Sequence, residues 1–305
     1  MAMKKLVLVD ANSLIHRAFH ALPPFKTKDG ELVNAVYGCC SILLNVLDRI
    51  KPDYLTVSFD VSKKTFRHKE YEEYKAKRVK APDELYAQFG RIREILEVLE
   101  VPVHEMEGFE ADDVIATVAE KVKGPDIQTY IITSDKDALQ LVDESTFVVT
   151  PDKGGRDGKI YNSKAVEARF GLTPDQIIDF KAIMGDASDN IPGVVGIGAK
   201  GATKLLQQYK TLDGIYKHLD EIKGAVHDKL EKQKEEAYFS QKLVTLVHDV
   251  PIDFNLEKTK YHLQDFVKVL PLFEKLEFRS LVGRVRKMLP NSAVESQNPV
   301  QTSLF

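Results

Sequence analysis

The chain has 305 residues, a net charge of −3 at pH 7 and 43% hydrophobic residues, which predicts a globular protein with one large domain or two modest ones. Its two cysteines, Cys39 and Cys40, are neighbours that are poorly placed to form a disulfide with each other, and no Cys/His spacing resembles a zinc site. The sequence contains no run of about 18 apolar residues, which excludes a membrane span, and we expect a protein of the reducing cytoplasm.

The first half of the chain alternates strand-like and helix-like segments. Apolar runs at residues 5–9, 54–59 and 129–133 are typical of buried strands, and a helix is predicted directly after Glu110. This alternation is the pattern of a parallel α/β domain with helices packed on its sheet. We therefore predict an α/β core over residues 1–172, built on a central, mostly parallel sheet with flanking helices.

Acidic side chains gather where the predicted strands end. Asp10 and Asp60 directly follow the first two strands, and Asp135 follows the third after Ser134. Ligands of open α/β sheets bind beyond the carboxyl ends of the strands. Carboxylates brought together from many segments repel one another unless cations lie between them, and hard oxygen ligands suit Mg²⁺ or Mn²⁺. The sequence therefore predicts a metal site with nine candidate ligands: Asp10, Asp60, Glu110, Asp112, Asp113, Asp135, Asp137, Asp186 and Asp189.

Each of these acids also has an ordinary interpretation, because a single acid at a strand end is more often a solvated turn residue or a helix cap. The set favours a metal site, since the motifs Glu110-Ala-Asp-Asp, Asp135-Lys-Asp and Gly185-Asp-Ala-Ser-Asp-Asn carry two or three acids each. Two metal ions about 4 Å apart in such a set activate a water and stabilise the leaving oxygen during in-line attack on phosphorus.

A basic stretch at residues 62–80 holds eight Lys or Arg against three Glu, interleaved with Phe66, Tyr71 and Tyr74. On charge alone, an exposed charged helix face explains this stretch equally well. Its position directly after Asp60 favours a nucleic-acid contact, with phosphates paired by the cations and bases stacked on the rings.

Helical signals replace strand signals from about residue 173, which predicts a mostly helical domain over 173–289 and a disordered tail over 290–305. A glycine-rich turn at 191–204 opens one of these helices. Its spacing satisfies G-x-G-x-x-G, but a dinucleotide site requires a preceding strand, and the P-loop pattern is absent. A clamp that holds duplex phosphates on backbone amides and a helix N-terminus is the better interpretation.

Together these motifs resemble the bacterial 5′-nucleases, that is, the 5′→3′ exonuclease domain of DNA polymerase I and its stand-alone relatives, which are similar to flap endonucleases. The resemblance covers roughly residues 4–289. It rests on six ordered motifs: Leu-Val-Asp10-Ala-Asn-Ser, Phe59-Asp60, Thr65-Phe-Arg67 through Tyr74-Lys75-Ala-Lys-Arg78, Glu110-Ala-Asp-Asp113, Ser134-Asp-Lys-Asp137 and Met184-Gly-Asp-Ala-Ser-Asp-Asn-Ile-Pro-Gly193. It implies a PIN/resolvase-like core with a helical arch near 62–82, and a C-terminal domain with a helix-hairpin-helix type (H3TH) clamp.

The resemblance also implies roles for individual residues. The nine carboxylates would hold two or more Mg²⁺ ions, directly or through water. The cations that steady the scissile phosphate would be Arg17, Lys75 and Arg78. The arch, through which a 5′ single strand threads, would contact DNA with Phe66, Arg67 and Tyr74. The clamp would bind the DNA duplex with Gly193, Gly196, Gly198, Lys200 and Lys204. In relatives this clamp also takes a potassium ion.

Some positions depart from the family's commonest pattern without removing a candidate ligand. Ala11 and Ser134 stand where glycine is usual, and Val195, Ala199 and Gly201 are unusual in the clamp turn. We therefore expect these differences to affect the grip on duplex DNA more than the chemistry.

The last five residues resemble the Q-x-x-L-F peptide that bacterial replication proteins insert into the sliding clamp. The candidate contacts are Gln301, Leu304 and Phe305. An extended tail suits such binding, although a motif this short also arises by chance.

The sequence thus predicts a 5′→3′ exonuclease and structure-specific flap endonuclease that hydrolyses DNA and RNA-primer phosphodiesters by a two-metal mechanism, in replication and repair. We expect a bacterial, nucleoid-associated monomer that acts on 5′ flaps, nicks and RNA primers, and the resemblance implies a polymerase domain as a further part of the full-length chain. Two alternatives remain. One is a PIN-type ribonuclease, a class that lacks the clamp at 193–198, and the other is a non-catalytic module that binds DNA structures.

Overall fold

The computed structural model describes residues 3–61, 64–151 and 158–289. The strands of this part of the chain form one sheet and are β1 Lys4–Asp10, β2 Tyr54–Ser58, β3 Val103–His104, β4 Ile127–Ile132, β5 Thr146–Thr150 and β6 Lys159–Tyr161. Their order across the sheet is β3-β2-β1-β4-β5-β6, and every pairing is parallel except that of β5 with β6. The predicted central, mostly parallel sheet is therefore confirmed.

The central strand β1 shows why an unbroken apolar run forms a strand here. Leu6 and Leu8 belong to the hydrophobic cluster on one face of the sheet, and Val7 and Val9 belong to the cluster on the other face. All four side chains are at most 4% exposed. Successive strand residues point to opposite faces, so a strand covered on both sides needs an apolar residue at every position.

Six α-helices are described in the first half of the chain. They are α1 Ala11–Ala21, α2 Asn34–Ile50, α3 Phe66–Glu70, α4 Asp83–Tyr86, α5 Phe89–Val98 and α6 Ala111–Val122. Helix α1 follows β1 without a linker, because the side chain of Asp10 caps it by accepting a hydrogen bond from the amide of Ser13 at 3.0 Å. Helix α6 begins with a capping box between Glu110 and Asp113. Acidic residues of the predicted metal site thus also start two helices.

The second half of the described chain is helical, as predicted. Its helices are α7 Ser163–Phe170, α8 Gln176–Met184, α9 Ala199–Tyr209, α10 Leu212–Lys217, α11 Ala225–Lys232, α12 Lys234–Val244, α13 Leu270–Lys275 and α14 Arg279–Met288. Helices α8 to α12 contribute to a hydrophobic cluster of their own. The side chains of α13 and α14 instead join the cluster of α1 and α2 beside the sheet. The division at residue 172 therefore stays a prediction, since the chain returns to the α/β core after the helical segment.

The described helices include none that is both long and apolar enough to cross a membrane.

Candidate active site

A cleft of about 1390 Å³ opens at the carboxyl ends of β1 and β4 and continues to helices α1, α6 and α8. Six of the nine predicted carboxylates line it, although they come from five separate segments of the chain. These six are Asp10, Asp60, Glu110, Asp112, Asp135 and Asp186. The structure thus brings together most of the predicted ligand set, and the role of these side chains as metal ligands stays a prediction.

Asp10 is a buried carboxylate at the floor of this cleft. One of its oxygens accepts from the Ser13 amide, and the other accepts from the Thr133 hydroxyl at 2.7 Å. The pKa of Asp10 is raised to about 7, mainly by burial. The hydrogen bonds from Ser13 and Thr133 act against this rise, and the neighbouring charges of Asp60 and Asp135 contribute to it. A cation bound between these acids would stabilise the ionised form of Asp10.

The start of helix α6 concentrates three carboxylates. Oxygens of Glu110, Asp112 and Asp113 lie within 4.8 Å of one another. Burial raises the pKa of Asp112 well above its ordinary value, and the charges of Glu110 and Asp113 act in the same direction. Asp60 joins this group by accepting a hydrogen bond from the amide of Ala111 at 2.7 Å. The positive end of the α6 dipole favours negative charge here.

Asp113 does not line the cleft, and its partner is Arg67. Its carboxylate is completely buried and accepts two hydrogen bonds from the Arg67 guanidinium, at 2.7 and 2.8 Å. The amides of Val247 and Glu110 also donate to it, at 2.9 and 3.1 Å. Both oxygens of Asp113 accept from protein donors, so this residue links α6 to the segment that follows α12, and its role as a metal ligand stays a prediction.

The structure corrects two of the predicted DNA contacts. The Arg67 side chain is 1% exposed and also donates to the carbonyls of Leu243 and Thr245, so it faces the protein interior. Tyr74 is 4% exposed, and its hydroxyl donates to Glu110 at 2.9 Å and Asp189 at 3.1 Å, which leaves no ring face for a base.

Phe66 is half-buried against Phe109, with the ring centroids 5.9 Å apart, and its contact with DNA stays a prediction.

The basic segment packs against the start of α6 and against the acidic loop between α8 and α9. Lys75 Nζ lies 2.5 Å from a carboxylate oxygen of Glu110, and Arg78 lies 2.5 Å from one of Asp189. The Lys75 amide also donates to the Asp189 carbonyl at 2.9 Å. Two predicted phosphate-binding cations therefore neutralise predicted metal ligands. The described part of the predicted arch contains the short helix α3 followed by hydrogen-bonded turns, while residues 62–63 lie outside the described residues.

Lys181 is a site residue that the sequence analysis missed. The Lys181 side chain is 11% exposed, and its ammonium pairs with Asp137 and, at 2.7 Å, with Asp186. Asp137 itself does not line the cleft. Burial alone would raise the pKa of Asp186, but the Lys181 ammonium and hydrogen bonds from Ser188 lower it to about 2. A lone lysine inside the apolar run of α8 is the sequence signal that could have revealed this bridge.

Helix α1 lines the cleft with one arginine and two histidines. Arg17 lines the cleft, and its buried Nε has no hydrogen-bond partner among the described residues. His16 and His20, one turn apart on the same helix, line the cleft as well. Burial lowers the pKa of His16, which favours its neutral form. Arg17 was predicted only through the family resemblance, and no sequence pattern indicated the two histidines.

The predicted clamp turn lies between α8 and α9. Gly193 has a φ of +62°, and a Cβ atom there would lie 2.2 Å from the amide nitrogen of Gly185, so no other residue fits. Gly198 caps α9, on which Lys200 and Lys204 are exposed. The predicted roles of these residues in DNA binding stay predictions.

Comparison with known proteins identifies the family. The model of the 5′-3′ exonuclease N-terminal resolvase-like domain matches residues 5–171, and that of the 5′-3′ exonuclease C-terminal SAM fold matches residues 172–266. The chain therefore belongs to the 5′-3′ exonuclease family, which confirms the predicted enzyme class and fold.

Relatives with similar sequences are DNA polymerases. DNA polymerase I of Caldicellulosiruptor bescii is 41% identical over 285 residues, which cover 92% of this chain and 33% of that protein. DNA polymerase I of Bacillus subtilis is 41% identical over 283 residues, with coverages of 92% and 32%. The chain spans about a third of the length of these relatives.

The fold is also that of a viral nuclease. The crystal structure of the bacteriophage T5 D15 flap endonuclease, a pseudo-enzyme-product complex with DNA and metal ions, matches with a TM-score of 0.63 at 19% identity. The match covers 96% of this chain and all of that chain. The α/β core and the helical segment are thus arranged as in that protein.

Proposed function

We propose that this protein is a metal-dependent 5′→3′ exonuclease and 5′-flap endonuclease that hydrolyses DNA and RNA-primer phosphodiesters during replication and repair. One observation supports this proposal most strongly: six carboxylates from five segments face one cleft, which Arg17 and the basic segment border. An acidic centre beside cations suits a phosphodiester, because ions among the carboxylates and cations on the rim both engage phosphate oxygens.

The donor set fits divalent cations, and we propose Mg²⁺ or Mn²⁺ as the physiological ions. All six cleft acids offer oxygen ligands, and no described cysteine lies in the cleft. The raised pKa values of Asp10 and Asp112 indicate negative charge that the protein alone does not compensate. When bound, such ions supply an activated water and neutralise the charge that develops at the scissile phosphate.

The chain's own residues would hold the substrate phosphate. Arg17 is available for this task, since its Nε is unpaired among the described residues. Lys75 and Arg78 are engaged with Glu110 and Asp189. We propose that metal binding at the acids frees these two cations, which then turn to phosphate oxygens. Burial would lower the pKa of Lys75, but Glu110 and Asp189 raise it above its ordinary value, so it remains charged throughout.

The proposed partners follow from the same chemistry. The substrate is DNA with 5′ flaps, nicks or RNA primers, recognised by shape because backbone phosphates carry no sequence information. The DNA polymerase I relatives, of whose length this chain spans about a third, support a polymerase domain in the full-length protein. We propose that this protein acts in the cytoplasm of a bacterium. The proposed sliding-clamp peptide, Gln301 to Phe305, lies outside the described residues.

A cleavage assay tests the proposal. The purified protein is incubated with end-labelled 5′-flap DNA, nicked duplex and single-stranded RNA, with Mg²⁺ or with EDTA. We expect Mg²⁺-dependent cutting of the flap near its junction and release of short products from the nick. Cutting confined to RNA would favour the PIN-type ribonuclease, and binding of the flap without cutting would favour the non-catalytic module.

A further inference from the structure

Side chains of α11, of α12 and of the residue between these helices form hydrogen bonds with the backbone of the glycine turn between α8 and α9. Gln233 Oε1 accepts from the amide of Val195 at 2.8 Å, and Gln233 Nε2 donates to the carbonyl of the same residue at 3.3 Å. Lys229 Nζ donates to the carbonyl of Gly196 at 3.0 Å. The Ser240 hydroxyl accepts from the Gly193 amide at 3.0 Å. Three residues of one turn are thus fixed by three side chains that are distant in sequence.

These contacts fix the shape of the turn more than they stabilise the fold. The Val195 side chain is 69% exposed, so its backbone polar groups could bond to water instead of Gln233. Exchanging such a bond for one to water changes the free energy of folding by only about 1 kcal/mol. A surface held in its bound conformation before binding, however, loses less conformational entropy when the ligand arrives.

Lys229 lies directly over Gly196. A Cβ atom at Gly196, whose φ is +89°, would lie 2.8 Å from Lys229 Nζ and 2.9 Å from its Cε. The missing side chain therefore makes room for the lysine as well as for the backbone conformation. The ammonium forms no ion pair with any residue that the structure describes, so the Gly196 carbonyl is its principal partner.

This contact bears on the potassium ion that the family resemblance implies for the turn. Backbone carbonyl oxygens can replace the hydration shell of a potassium ion, and the Gly196 carbonyl already accepts a hydrogen bond from the ammonium of Lys229. The ammonium of Lys229 therefore occupies a position at the Gly196 carbonyl that an exchangeable cation would otherwise take.

We propose that Lys229 and Gln233 are positioning residues for duplex binding, and that the Lys229 ammonium replaces a monovalent cation at the Gly196 carbonyl. Duplex affinity is then independent of K⁺. This inference rests on the proposed function for one point only, namely that the ligand is duplex DNA. The shape of the turn in the free protein does not depend on that function.

Hydrogen exchange of the free protein tests the positioning role. The Val195 amide exchanges slowly in the wild type because Gln233 accepts its hydrogen bond. Gln233→Met and Lys229→Met each speed exchange in the peptide that spans residues 193–198 by about tenfold, equivalent to the loss of about 1.4 kcal/mol of local protection. Thermal unfolding identifies any variant that is globally destabilised. Unchanged exchange in both variants overturns the proposal.

Duplex binding tests the cation replacement. Affinity for a labelled blunt duplex is measured in KCl and in NaCl of equal ionic strength, for the wild type, Lys229→Met and Lys232→Met. The last variant removes the same charge from the exposed end of the same helix without touching the turn. We expect equal wild-type affinity in both salts, and for Lys229→Met an affinity about tenfold weaker in NaCl that recovers in KCl. Lys232→Met should show only the small loss of one surface charge, equal in both salts.

The possible failures are distinguishable. A wild type that binds more tightly in KCl than in NaCl, or a Lys229→Met protein that matches Lys232→Met in both salts, overturns the cation replacement. A wild type that binds no duplex in either salt defeats the proposed function and the duplex ligand with it. The exchange measurement then still decides whether Lys229 and Gln233 hold the turn.

Discussion

Replacing Arg67 with methionine should destabilise the protein strongly, which distinguishes the observed buried role from a DNA contact. The guanidinium donates to Asp113, to Glu110 and to the carbonyls of Leu243 and Thr245. Methionine fills part of the volume but donates nothing. The change leaves the completely buried Asp113 carboxylate with backbone donors alone.

The size of the effect follows from this geometry. Removing one partner of a buried ion pair leaves an uncompensated charge and costs about 3–5 kcal/mol. We expect Arg67→Met to lose about 4 kcal/mol of unfolding free energy at pH 7. Adding Asp113→Asn removes the stranded charge, so the double variant should be more stable than the sum of the two single changes by at least about 1.5 kcal/mol.

Urea unfolding followed by circular dichroism measures both quantities, provided that the slope with denaturant is unchanged. A matched control is Arg286→Met, because Arg286 pairs with Glu274 on the surface with both side chains more than half exposed. Exposed pairs contribute about 1 kcal/mol or less. If Arg67→Met loses no more than the control while DNA affinity falls, Arg67 faces the substrate and the buried role is refuted.

Three further predictions test other parts of the site. The metal-free Asp10→Asn variant should gain stability relative to the wild type as the pH rises from 4 to 7, and the gain should level off above pH 7 at about 4 kcal/mol. The folded pKa of Asp10 is raised from 3.8 to about 7, so ionisation penalises the folded wild type increasingly over this range. Urea unfolding at several pH values measures the difference. Asp112→Asn should slow flap cleavage by more than about a hundredfold in a single-turnover assay while the protein remains folded, since it removes a cleft carboxylate. Gly193→Ala should lower the melting temperature in a calorimetric scan, because the added Cβ would collide with Gly185. As a control, Gly283→Ala in α14 should raise stability by about 0.5–1 kcal/mol in the same scan, because a Cβ atom at Gly283 would have no atom within 4 Å.

The sequence predicted the parts of the site that depend on local patterns. Asp10, Asp60 and Asp135 follow apolar runs, and the carboxyl ends of neighbouring parallel strands meet at one edge of a sheet. Strand periodicity therefore predicted that these three acids would share a cleft, and they do. The apolar run at residues 5–9 was predicted to be a buried strand of a sheet with flanking helices, and β1 indeed packs into a hydrophobic cluster on each of its faces.

The sequence could not predict which charged residues pair with each other. Arg67 and Tyr74 lie in a stretch of alternating cations and rings that looks the same whether it faces DNA or the protein interior. Their burial depends on carboxylates 46 and 36 residues further along the chain, which only the folded structure brings near. Lys181 was missed for the same reason, since its partner Asp137 belongs to the α/β core and not to α8.

The central claim is that the acids of the cleft hold divalent ions, and anomalous diffraction from crystals soaked in Mn²⁺ tests it most directly. Manganese scatters anomalously and takes the same oxygen ligands as magnesium. We predict anomalous peaks inside the cleft, with Asp10 or Asp112 among the ligands of one ion and Asp135 or Asp186 among those of another. Ordered carboxylates with no anomalous peak between them, in crystals that bind manganese elsewhere, would contradict the claim.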